Sequence, residues 1–80
     1  MAKVLKTEFE YIRLKLIAST GRTTTWIVLN KNSNSRIAVV KWLSAWRQYS
    51  LFPDFNTAWS AGCLEDILAF INALEIQEGR

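Results

Sequence analysis

The chain lacks most of the side chains on which catalytic and metal sites depend. Its 80 residues include no histidine, one cysteine and three glycines. Without histidine the usual general base near neutral pH is missing, and Cys63 has no imidazole to activate it as a nucleophile. No cluster has the spacing of metal ligands, and three glycines cannot build a loop that cradles a phosphate. We therefore expect a protein that is not an enzyme and that holds no metal or cofactor.

Long apolar segments and paired cysteines are also absent. The longest apolar stretches are a few residues long, far below the roughly 20 residues that span a bilayer, so no membrane contact is expected. The first six residues lack the apolar core of a signal peptide, and a single cysteine cannot form the internal disulfides common in small secreted domains. We expect one cytoplasmic domain covering residues 1–80. Because so short a chain buries only a small core, we also expect a homodimer.

The most informative absence is that of acidic residues between Tyr11 and Pro53. Seven lysines and arginines in this stretch give it a charge of +7, whereas residues 54–80 sum to −4. Such an asymmetry suggests that the basic part binds a polyanion. The alternative is that basic strands and an acidic helix attract each other within the fold.

Alternating apolar and polar residues predict four or five strands. They are expected at Phe9–Ala18, Thr23–Asn30, Arg36–Leu43 and Trp46–Phe52, with either a short fifth strand or a crossing segment at Asn56–Trp59. The sequences between them read as turns and polar loops: Ser19–Arg22 as a hairpin turn, Lys31–Ser35 as a loop and Ser44–Ala45 as a short turn. These short connections are typical of an antiparallel sheet.

One helix is predicted after the strands, from about Ala61 to Ile76, with Ser60 as its N-cap. Its apolar stripe recurs at spacings of three and four residues and consists of Leu64, Ile67, Leu68, Ile71 and Leu74. Cys63 and Phe70 flank this stripe. The predicted fold class is α+β: an antiparallel four- to five-stranded sheet with one C-terminal helix packed on one face.

The candidate binding residues are cations and large aromatics of the predicted strands. Arg13 and Lys15 alternate with an apolar row, and a register slip of one residue would bury both charges, so they are expected on the face away from the helix. Aromatic rings stack on unpaired bases, while lysine and arginine neutralise phosphates. The predicted nucleic-acid-binding residues are Tyr11, Arg13, Lys15, Arg36, Lys41, Trp42, Trp46 and Arg47.

The two tryptophans of this set have structural alternatives. Trp42 shares a row with Ala38 and Val40, so a place in the core is favoured for it by about two to one, because large aromatics dominate small cores. For Trp46 the core and the surface are about equally favoured on the same grounds.

The chain resembles a family of small bacteriophage proteins with a Lys-Trp-x3-Trp-Arg-Gln-Tyr-x2-Phe-Pro strand motif. The matching residues lie at Thr25-Trp26, Asn30-Lys31, Val39-Val40-Lys41-Trp42, Trp46-Arg47-Gln48-Tyr49, Phe52-Pro53, Gly62-Cys63-Leu64, Asp66-Ile67 and Phe70-Ile71. The resemblance implies a viral origin, expression in a bacterial cytoplasm, and a role in phage DNA metabolism or in countering host defence. Phage versions often have a Tyr-Gly-Pro-like turn where this chain has Leu43-Ser44-Ala45. Because the two turns differ, the resemblance implies no role for this turn.

The predicted architecture also resembles the PC4-type single-stranded-DNA-binding fold, which dimerises through its helix and binds DNA on basic, aromatic strands. Likeness of fold does not establish function. The leading hypothesis is a phage nucleic-acid-binding protein, with single-stranded DNA as its ligand. The alternatives are an inhibitor that docks on a host or defence protein, with exposed aromatics as hot spots, and a protein that sequesters a phosphorylated nucleotide signal.

Overall fold

A computed structural model describes residues 5–79, so the predicted domain of residues 1–80 extends beyond the described residues at both ends. The elements are β1 (Ile12–Thr20), β2 (Thr23–Asn30), β3 (Arg36–Leu43), β4 (Gln48–Pro53) and α1 (Ala61–Gln77). The four strands form one antiparallel sheet in the order β1-β2-β3-β4, because each short connection returns the chain beside the strand before it. The predicted α+β fold with a C-terminal helix is confirmed.

The strand boundaries are confirmed where the sequence signal is dense. β2 and β3 have the predicted bounds, and both are rich in β-branched residues. The predicted fifth strand does not form among the described residues; the alternative, a crossing segment, leads from β4 to the helix. In this segment Asn56 takes a left-handed backbone (φ 64°), and the Thr57 hydroxyl donates to the carbonyl of Asp54 at 2.9 Å.

The predicted start of the first strand at Phe9 is wrong, since β1 begins at Ile12. The backbone amide of Phe9 donates to the carbonyl of Ile12 at 2.9 Å, so the chain bends sharply just before β1. The cause is the side chain of Phe9, which is buried and packs edge-to-face on Phe70 with ring centroids 6.5 Å apart. The segment before the bend runs back along the outer edge of β1, where the amide of Leu14 donates to the carbonyl of Thr7 at 2.8 Å.

The predicted start of the fourth strand at Trp46 is also wrong. β4 begins at Gln48, because a four-residue turn at 44–47 replaces the predicted two-residue turn. The amide of Trp46 donates to the carbonyl of Leu43 at 3.1 Å, and Arg47 closes the turn with a left-handed backbone (φ 53°). Trp46 therefore projects from a turn and belongs to no strand row.

The core lies between one face of the sheet and α1, and we call that side of the sheet the covered face. The strands contribute the buried side chains of Ile12, Leu14, Trp26, Val28, Ala38, Val40 and Tyr49. The helix contributes Ile67, Phe70 and Leu74. Phe70 has no exposed surface and packs edge-to-face on Trp26 with centroids 5.0 Å apart. It is the helix residue around which the core is built.

The predicted apolar stripe of the helix is only partly correct. Ile67 and Leu74 are buried as expected, but Leu64 and Leu68 are 49% and 59% exposed, and Phe70 takes the central position. The helix carries apolar residues on most of its circumference, so spacing alone did not fix its rotation. The large ring decides the rotation, because burying an aromatic side chain contributes more than burying a leucine.

Both ends of α1 are held by polar contacts. At its start the Ser60 hydroxyl accepts a hydrogen bond from the amide of Cys63 at 3.2 Å, which confirms the predicted N-cap. At its end the Tyr49 hydroxyl donates to the Glu78 carboxylate at 2.7 Å and accepts from the backbone amide of Thr24 at 3.0 Å. No helix within residues 5–79 has the length and apolarity required to cross a membrane.

Candidate nucleic-acid interface

The side of the sheet turned away from α1, which we call the open face, carries cations on an apolar surface. Side chains alternate between the two faces along each strand. Lys15 follows the buried Leu14 and therefore projects from the open face. The strand register continues from Lys15 to Ile27, from Ile27 to Val39, and from Val39 to Phe52. This row crosses all four strands, with a cation at one end and an aromatic ring at the other.

Lys41 adds a second cation beside the aromatic end of that row. It lies between the buried Val40 and Trp42 in β3 and therefore projects from the open face. Its ammonium nitrogen is 4.8 Å from the centroid of the Phe52 ring, within the range of a cation–π contact. A planar group stacked on Phe52 would thus have a positive charge next to it.

Two strand cations of the predicted set form an ion pair with a carboxylate, and two do not. Arg13 pairs with Glu8 at 2.7 Å, and Arg36 pairs with Asp54 at 3.1 Å. The hydrogen bond from Arg36 to Asp54 and the attraction between their charges raise the pKa of Arg36. Lys15 and Lys41 make no ion pair within residues 5–79. Because β1–β4 contain no aspartate or glutamate, these two lysines are the uncompensated charges of the open face.

Tyr11 does not lie on the open face, because it precedes β1, although the predicted first strand included it. The bend before β1 turns the Tyr11 ring onto the helix at Gly62, where an added Cβ would stand 2.5 Å from the Tyr11 Cε2. The Tyr11 amide donates to the Asp66 carboxylate at 3.2 Å. The ring remains 47% exposed, but on the helix side of the sheet.

Trp42 lies on the covered face and packs against the core, as the structural alternative held. Its ring meets Tyr49 edge-to-face with centroids 5.4 Å apart. Trp46, in contrast, is 66% exposed in the turn before β4. Arg47 follows it in that turn and borders an open cleft of about 920 Å³, whose lining also includes Arg22, Trp42, Ser44, Glu78 and Gly79.

Two aromatic residues outside the predicted set, Phe52 and Phe55, lie in and just after β4. Phe52 faces away from the helix, and the alternation of β4 was a signal that could have found it. Phe55 lies just after β4 and is 97% exposed. No periodic signal marks Phe55, because it lies in an irregular segment. The structure thus places Arg13, Lys15, Lys41 and Phe52 on one face of the sheet, with only Lys41 and Phe52 in contact, and it places Tyr11 and Trp42 on the other side.

Comparison with known protein families, with curated proteins and with solved structures yields no match. The resemblance to a phage family and the likeness to the PC4-type fold therefore stay predictions. Within the described residues, no group of three or more histidines, cysteines and carboxylates could hold a metal ion. The proposed function therefore rests on the geometry of the open face.

Proposed function

We propose that the protein binds single-stranded nucleic acid on the open face of its sheet. The observation that carries the proposal is the row from Lys15 to Phe52, with the ammonium of Lys41 above the ring and no acidic residue in any strand. Cations that neutralise phosphates and a flat apolar surface on which bases can lie are the two components of sheet-based strand binding.

A single strand fits this surface better than a duplex does. The bases of a duplex are stacked inside it, so an apolar sheet would face only phosphates and sugars. Unpaired bases can instead stack on Phe52 and cover the half-buried side chains of Ile27 and Val39. The phosphate next to a base on Phe52 would then lie close to Lys41.

The ion pairs also indicate which cations are available to neutralise a phosphate. Lys15 and Lys41 can each neutralise a phosphate directly, whereas Arg13 and Arg36 already neutralise a carboxylate. Two phosphate contacts on a single strand, one for each lysine, would give a slope of log affinity against log salt of about −1.4. Loss of both lysines would therefore remove most of that slope.

The test is a titration of the protein with a fluorescently labelled single strand of about 12 nucleotides, and with a duplex of that length, at several salt concentrations. We expect the wild type to prefer the single strand and the double variant Lys15→Gln/Lys41→Gln to lose at least about tenfold in affinity together with most of its salt slope. The matched control is Asn72→Asp with Ala69→Glu on the exposed side of α1, which lowers the net charge by the same amount. This control should bind nearly as well as the wild type.

Two outcomes contradict the proposal. Binding of the wild type that does not depend on salt, or no binding at all, rules out a phosphate-based interface. Equal losses in the lysine variant and in the helix control mean that net charge alone attracts the strand, so the open face would not be the site.

A further inference from the structure

Besides the buried Tyr49, three aromatic side chains lie before, on and after β4. Trp46 precedes the strand by two residues and is 66% exposed, and Phe55 follows its last residue by two and is 97% exposed. Phe52 lies on the open face between them. β4 is an edge strand, with β3 on one side and no strand on the other within the described residues.

Both outer rings are mostly exposed, and Phe55 contributes little to the fold. Phe55 is almost wholly in solvent, so it gains nearly nothing from apolar burial, whereas Trp26 and Phe70 are buried in the core. A large ring that a small domain leaves in solvent is an informative exception, because Trp and Phe normally dominate cores and interfaces.

The backbone fixes where these rings project. The residue directly after each exposed ring has a left-handed conformation: Arg47 (φ 53°) follows Trp46, and Asn56 (φ 64°) follows Phe55. Such conformations are uncommon outside glycine, and for arginine the local cost is greater than for asparagine. The chain therefore turns sharply after each ring and leaves it projecting from the turn.

We infer that the bound single strand follows β4 from end to end, with bases stacked on Trp46, Phe52 and Phe55. This inference rests on the proposed function. A cation accompanies the central ring, since the Lys41 ammonium lies 4.8 Å from the centroid of Phe52. Arg47 follows Trp46 in the turn and borders the cleft described above. The one carboxylate of this path, Asp54, is neutralised by Arg36 at 3.1 Å.

The length of β4 sets the size of the site. Six residues at about 3.3 Å each make the strand about 20 Å long, so Trp46 and Phe55 are too far apart to stack on adjacent bases. Affinity should therefore rise with the length of an oligothymidine until one strand reaches both rings, at roughly four to six nucleotides, and then level off.

The experiment measures the affinity of full-length variants for oligothymidines of increasing length by anisotropy of a label on the oligonucleotide. We expect Phe55→Ala and Trp46→Ala each to weaken binding about tenfold while leaving the salt slope unchanged, because stacking releases no counterions. Phe55→Tyr, which keeps the ring, should bind within about twofold of the wild type. Phe55→Ala should also remove the gain in affinity from the longer strands.

The matched control is Leu68→Ala, which removes an exposed apolar side chain from the helix and should leave binding unchanged. If the wild type binds with the expected salt slope but neither aromatic variant is weakened, the path along β4 is wrong and the proposed function stands. If the wild type does not bind, the proposed function fails and this inference fails with it.

Discussion

The covered face and the open face of the sheet consist of alternate residues of the same strands, yet they differ in composition and exposure. Val40 on the covered face has no exposed surface, and its neighbour Val39 on the open face is half-buried. The buried residues of the covered face include no lysine or arginine, whereas the open face carries Lys15 and Lys41. The packing of α1 therefore decides the environment of each residue, while strand alternation decides which residue enters it.

This difference separates two uses of apolar side chains. On the covered face they bury surface and supply the stability of a domain that has little core to spare. On the open face they form a flat surface that water still reaches and that cations border. The four predictions below test how sharp that division is, from the largest expected effect to the smallest.

The adjacent valines of β3 give the most direct test. Val40→Ala removes two fully buried methyl groups and leaves a cavity, so the free energy of unfolding should fall by about 2–3 kcal/mol. Val39→Ala removes the same groups from the half-exposed side and should cost less than about 1 kcal/mol. Urea unfolding followed by circular dichroism measures both values. Equal losses would mean that the open face is itself buried in solution, for instance in a homodimer.

The second prediction concerns Tyr49, the polar member of the covered face. Tyr49→Phe leaves the Thr24 amide and the Glu78 carboxylate without their shared hydroxyl, which should lower the free energy of unfolding by about 1–2 kcal/mol. Hydrogen exchange should quicken at the C-terminal end of α1. An unchanged unfolding midpoint would show that this contact does not hold the helix to the sheet.

Tyr49 also makes the free energy of unfolding depend on pH in the alkaline range. Burial of the phenol raises the pKa of Tyr49, and the Glu78 carboxylate adds to that increase. The hydrogen bond with Thr24 opposes it. In the unfolded chain a tyrosine titrates near its ordinary value of about 10. The contribution of Tyr49 is therefore present below about pH 10 and is lost as the pH rises through the higher folded-state pKa. Above about pH 10 the wild type should lose more stability than Tyr49→Phe does.

The smallest effect tests where Tyr11 lies. Gly62→Ala places a Cβ 2.5 Å from the Tyr11 ring, so the gain of up to about 1 kcal/mol from replacing a helical glycine should be offset by displacement of the ring. In a Tyr11→Ala background the same substitution should be stabilising by about that gain. A double-mutant cycle in thermal unfolding measures the coupling. Absence of coupling would place the Tyr11 ring away from the helix and available to the open face.

Much of the fold was predictable, and the errors have identifiable causes. β2, β3 and α1 carry dense signals: β-branched runs, an N-capping serine and regular apolar spacing. The bend at Tyr11 has no glycine or proline to mark it, and the turn that contains Trp46 needs a left-handed arginine, which no sequence rule anticipates. Both errors concern an aromatic residue that the prediction placed in a strand and that the structure places outside it.

The candidate site divides in the same way. The facing of Arg13 and Lys15 followed from alternation alone, because any other register would bury a charge. The pairing of Arg36 with Asp54 and the exposure of Phe55 could not be predicted, since they depend on how β4 leads into the crossing segment. Local rules fix the side to which a strand residue points, but not its neighbours from other segments.

The sequence by itself determined an antiparallel sheet of four or five strands, one C-terminal helix and the charge of the face that the helix leaves uncovered. These properties follow from local periodicity and from the cost of burying a lysine or an arginine. Only the tertiary structure decided that Phe70 would be the centre of the core, that Tyr11 would turn to the helix and that Trp46 and Phe55 would stay in solvent. Each of these depends on competition among large side chains for one small interior, and such a competition is settled by packing in three dimensions.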